Sequence, residues 1–116
     1  MALYMMFGKY TRTSVSEINS SRTKETVGVI EKANGQVVSM YAMLGNYDVV
    51  LIVNLPGNRE AMEVSVGLSK VTGIQFTTGP IIPIDRFDEM IELQIADSQA
   101  KPIDLAPPEE ENENYN

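Results

Sequence analysis

Three short segments of this 116-residue chain are apolar at consecutive positions, not alternate ones. Successive side chains on a strand point to opposite faces, so such a segment has apolar surface to bury on both sides of its sheet. In Tyr47 to Leu55 (YDVVLIVNL), Val49, Leu51 and Val53 point one way while Val50 and Ile52 point the other. In Ala2 to Tyr10 (ALYMMFGKY), Leu3, Met5 and Phe7 oppose Tyr4 and Met6. In Gln36 to Leu44 (QVVSMYAML), Val38, Met40 and Ala42 are expected to oppose Val37, Tyr41 and Met43.

The segments between these strands read as helices. Ser20-Ser21 offer an N-cap, Thr23, Thr26, Val27, Ile30 and Ala33 recur at helical spacing, and Asn34-Gly35 ends the run. Val15 to Ile18 reads either as the first turn of that helix or as a separate short one. Gly45-Asn46, between two β-branched runs, predicts a tight hairpin in which one or both central residues take positive φ. Pro56-Gly57-Asn58 ends the third strand and caps a second helix, whose buried stripe is Ala61, Val64, Ser65, Leu68, Val71 and Thr72, closed by Gly73. Ile74 to Thr78 reads as a fourth strand with an irregular end at Gly79-Pro80, and Asp85 to Ile95 as a further amphipathic helix.

The order β-α-β, hairpin, β-α-β predicts an α+β, ferredoxin-like βαββαβ domain with a four-stranded antiparallel sheet, both long helices on one face, and an extra C-terminal helix. The second sheet face then needs a partner. About ten apolar side chains there, at ~1.5–3 kcal/mol each when fully buried, set an upper bound of roughly 15–30 kcal/mol, against ~4–15 kcal/mol for association. The expectation is a homodimer, or a higher homo-oligomer, built by packing sheet on sheet.

Charge bounds the partners. The net charge is −7, but residues 97–116 hold one Lys and six acids, so the body over residues 1–96 carries only −2. The domain reading is accordingly residues 1–96, with residues 97–116 an acidic tail too polar to order itself. Bases are scattered among acids, which disfavours nucleic acid, and the apolar start is cut short by Lys9, far below the ~18 residues of a membrane span. The chain reads as cytoplasmic. It contains no His and no Cys, so it can build no His–Cys zinc site, thiolate or imidazole-ligated haem, Cys nucleophile or Ser–His pair, and no cofactor is expected. That weighs for binding or assembly over catalysis.

The candidate ligand-binding residues are Tyr4, Tyr41, Tyr47, Asp48 and Thr78, with no catalytic or metal-binding residue assigned. A carboxylate beside an apolar strand is costly unless it accepts hydrogen bonds or meets a cation. Asp48 is therefore an anchor for a ligand's amine or hydroxyl, a base whose pKa is raised by its surroundings, or an acceptor for backbone N–H groups at the hairpin mouth. The tyrosines either line a cavity or are core aromatics with the hydroxyl at an edge. Thr78, in Thr77-Thr78-Gly79-Pro80, either bonds a ligand or is an ordinary strand residue.

The runs Ala2 to Tyr10, Met40 to Val50 (MYAMLGNYDVV) and Gly73 to Thr78 (GIQFTT) together resemble the GYD domain family, prokaryotic proteins marked by a Gly-x-Tyr-Asp element, here Gly45, Tyr47 and Asp48. The resemblance covers roughly residues 2–92 and implies a dimeric α/β-barrel arrangement, without implying a particular activity. A more distant likeness, from Val37 through Thr78, is to the effector-binding domain of leucine-responsive-type transcription regulators, which binds small effectors, often amino acids, at subunit contacts. No helix-turn-helix precedes it in this sequence, so DNA binding is not expected to carry over. The reading favoured is non-catalytic, effector-type binding of a small molecule at or near a sheet-to-sheet homodimer interface. Two alternatives stand beside it: a cofactor-independent oxygenase or isomerase of the dimeric barrel type, and an interaction protein working through its acidic tail.

Overall fold

The structure, a computed structural model, describes the backbone of residues 1–100 and the side chains of residues 1–98. The acidic tail named above lies almost wholly outside the described residues. Two compact units are present, Met1–Ile81 and a second beginning at Ile82.

The first unit holds strands β1 (Ala2–Lys9), β2 (Gln36–Ala42), β3 (Val49–Leu55) and β4 (Gln75–Ile81), and helices α1 (Arg12–Val15), α2 (Ser20–Lys32) and α3 (Asn58–Thr72). The strands form one sheet in the order β2-β3-β1-β4, and every neighbouring pair is antiparallel. This is the ferredoxin-like α+β arrangement that the element order predicts. The second unit contributes helix α4 (Ile84–Ala100), longer at its C-terminal end than the Asp85 to Ile95 periodicity indicated.

The core lies between one sheet face and the two long helices. Tyr4 and Met6 of β1 and Leu51, Val53 and Leu55 of β3 meet Ile30 of α2 and Ala61, Val64 and Leu68 of α3, all of them buried. The helices form where expected for identifiable reasons. Asn19, one residue before the expected cap, accepts the Arg22 backbone N–H on its side chain and starts α2. Asn34, at φ 63°, ends α2 in the left-handed region, and Gly73, at φ 75°, does the same for α3. Residues 12–15, and not the Val15 to Ile18 turn expected, form a separate short helix, closed by a reciprocal pair in which Thr11 Oγ1 accepts the Ser14 N–H and Ser14 Oγ accepts the Thr11 N–H.

Three local expectations are corrected. A bulge between Val37 and Ser39 puts Val37 and Met40 on the same face, opposite Val53 and Leu51, so the alternation read for β2 fails from Val38 onward. The hairpin keeps the register centred on Gly45-Asn46, but regular pairing stops at Ala42 and Val49 and a wider loop follows, closed by the Met43 N–H donating to the Asp48 carbonyl. Gly45 alone takes the positive φ, 119°. Finally, β4 runs on through Gly79-Pro80 to Ile81, because it is an edge strand and a proline that lacks an N–H is tolerated there.

The sheet's second face carries Leu3, Met5 and Phe7 of β1 beside Val50 and Ile52 of β3, as the consecutive apolar positions required; both α2 and α3 pack on the other side. Met5 lies directly opposite Ile52 at the centre of that face.

Candidate functional site

Helix α3 packs against β3 and the edge strand β4, and a groove of about 410 Å³ is lined by residues of α3, β1 and β4. On the helix, Asn58, Met62, Ser65 and Val66 recur at three- and four-residue intervals and so share one side. From the sheet, Tyr4 of β1 and Phe76, Thr78 and Pro80 of β4 point to the same space. They converge through register, since Tyr4 pairs with Pro80, Met6 with Thr78 and Gly8 with Phe76. Gly8 is needed there: a Cβ at that position would stand 2.8 Å from Phe76 Cε1 and 2.6 Å from Val49 Cγ1.

Two polar pairs interrupt the apolar lining. The Tyr4 hydroxyl donates to Asn58 Oδ1 at 2.6 Å, and Ser65 Oγ lies 2.6 Å from Thr78 Oγ1. Ser65 Oγ also donates to the Ala61 carbonyl at 2.8 Å. Met62 and Val66 are 71% and 55% exposed, so the groove has an apolar rim open to solvent.

Of the five residues singled out in the sequence, Tyr4 and Thr78 meet in this groove and the other three lie elsewhere. The Tyr47 ring packs against Phe7, centroids 5.0 Å apart and planes tilted by 40°. Tyr41 stands opposite Val50 on β2 and is exposed. Asp48 accepts the Tyr10 backbone N–H on Oδ2 at 2.8 Å, while its own N–H donates to the Gly8 carbonyl at 2.8 Å. It thereby ties the start of β3 to the end of β1. Asp48→Ala strips the Tyr10 N–H of its acceptor and should cost about 1–3 kcal/mol in urea unfolding, whereas Asp48→Asn, which keeps an acceptor oxygen, should recover most of that loss.

The sequence alone does not mark Asn58, Ser65, Met62 and Val66 as site residues. Asn58 looks like a cap and Ser65 like a small member of the buried stripe. The available signal was the apolar pair Met62 and Val66, spaced i, i+4 beside the core stripe, where a solvated helix face should be polar. The Arg22 guanidinium donates to the Ser14 carbonyl and sits 5.1 Å from the centre of the Tyr10 ring. Among the described residues no three or more metal-binding side chains come together, and no helix is long and apolar enough to cross a membrane.

Sheet order, helix placement and groove define a small ferredoxin-like α+β domain. The model of the GYD domain family matches residues 4–91, and the chain belongs to that family. Among solved structures, it is similar to the crystal structure of Mycobacterium tuberculosis leucine response regulatory protein (LrpA), at 12% sequence identity and a TM-score of 0.48 over 71% of this chain. The chain spans about half of that protein, 51% of its length. A comparison with curated proteins finds no match.

Proposed function

We propose that this GYD-domain protein is a homodimer joined through the second faces of its sheets, and that each subunit binds a small molecule in the groove between α3 and β4. The groove carries the reading. Its volume, about 410 Å³, falls in the range of ligand sites, and its lining combines apolar surface with a few placed polar groups. The sequence reading put the ligand at or near the sheet-to-sheet interface. The groove is on the opposite, helix-bearing side, and that is where we place binding.

A thermal-shift screen with neutral, acidic and basic compounds of low mass tests this. A compound at ten times its Kd should stabilise the protein by about 1.4 kcal/mol, and the gain should disappear in Val66→Arg, which sets a charge on the groove's exposed rim. If no compound at millimolar concentration stabilises by more than about 0.5 kcal/mol, the binding reading is wrong.

A further inference from the structure

We infer that the groove selects uncharged ligands that carry a hydrogen-bond donor, with Thr78 Oγ1 as the acceptor; this rests on the binding reading and names the ligand class it leaves open. The direction of the hydrogen bonds carries the inference. Ser65 has one hydroxyl proton, and it is donated to the Ala61 carbonyl, which has none to give back. Either hydroxyl could donate across the 2.6 Å contact between Ser65 Oγ and Thr78 Oγ1, and the claim of the Ala61 carbonyl on the Ser65 proton assigns that donation to Thr78. The relay runs Thr78 to Ser65 to Ala61. Both hydroxyl protons are committed, so Thr78 has only lone pairs left to offer a ligand.

At the other polar pair, the Tyr4 proton is committed to Asn58 Oδ1, which leaves lone pairs on the phenol and the two N–H groups of the exposed Asn58 amide. A carboxylate at the relay would face lone pairs in place of donors. An ammonium would find acceptors but no counter-charge, because none of the described residues lining the groove is Asp, Glu, Lys or Arg. An amino acid carries both unwelcome groups. An alcohol, phenol or primary amide on an apolar skeleton satisfies the relay: its O–H or N–H donates to Thr78 while the skeleton covers Met62, Val66 and Phe76.

The test uses four compounds that share one skeleton and differ in the head group: phenethyl alcohol, its methyl ether, phenylacetate and phenethylammonium. Each is titrated against the full chain and followed by NMR at the Met62 methyl and the Thr78 amide. The alcohol should bind about tenfold tighter than the other three, the worth of one hydrogen bond near the upper end of its usual range. In Thr78→Val the alcohol and the ether should bind equally, and Thr78→Ser should restore the preference. Equal or tighter binding of either charged compound overturns the inference, as does an alcohol preference that survives in Thr78→Val. If none of the four binds while the mixed screen yields groove ligands, selection by Thr78 is wrong and the binding reading stands. If neither yields a ligand, both fall.

Discussion

Leu68→Ala should destabilise the protein by about 2–5 kcal/mol, seen as a fall of roughly 10 °C or more in Tm at fixed protein concentration. Leu68 is fully buried in the layer where α3 meets the sheet, together with Val64, Leu51 and Val53. Removing its branched end forfeits transfer free energy and leaves a void that helix and sheet close only in part. Val66→Ala, two residues away on the same helix, is the control. Val66 is 55% exposed on the groove rim, so its truncation should change stability by no more than about 0.5 kcal/mol. A loss at Val66 comparable with that at Leu68 would mean that the groove side of α3 is covered in solution.

That contrast marks how far the sequence could be read. Leu68 was legible because Ala61, Val64, Leu68 and Thr72 repeat with the helical period, and all four are buried, whereas Val71, expected in the same stripe, is exposed. Strand faces were legible in β1 and β3 for the matching reason, a strict period of two. In β2 the same logic failed at Val38, since a bulge moves every later side chain to the opposite face and nothing in Val37-Val38-Ser39 marks it. The sequence marks Gly35 only as a helix stop. Its second role is a close approach, because a Cβ there would lie 2.7 Å from the Asn54 carbonyl oxygen and 2.5 Å from Leu55 Cδ2.

The groove was legible only in pieces. Tyr4 and Thr78 stood out as polar residues in apolar strands, but what joins them to one space is the β1–β4 register, and local composition does not encode a register between strands about 70 residues apart. Asn58 and Ser65 were masked by the ordinary duties their residue types perform at helix starts and in small-residue contacts. Asp48 illustrates the reverse. The Gly-x-Tyr-Asp element is the most distinctive stretch of the sequence, and its carboxylate is engaged with backbone, holding β3 against the end of β1.

Ile52→Asp should turn the proposed dimer into a monomer. Ile52 and Met5 pair at the middle of the sheet's second face, with Phe7, Leu3 and Val50 around them. In a two-fold interface made by that face, every substitution is present twice, and a charge at a buried centre costs at least about 2 kcal/mol per copy. The expected penalty of about 4 kcal/mol weakens association roughly a thousandfold. Light scattering should give the wild-type chain about twice its 12.8 kDa mass at micromolar concentration and Ile52→Asp the single-chain mass, with far-UV circular dichroism little changed. Val71→Asp, on the exposed side of α3 and 53% exposed, supplies the comparison and should leave the dimer intact. A monomeric wild-type protein would reject the sheet-to-sheet assembly. So would an Ile52→Asp protein that stays dimeric, because no interface centred on this face can seat two carboxylates there without a cation to meet them.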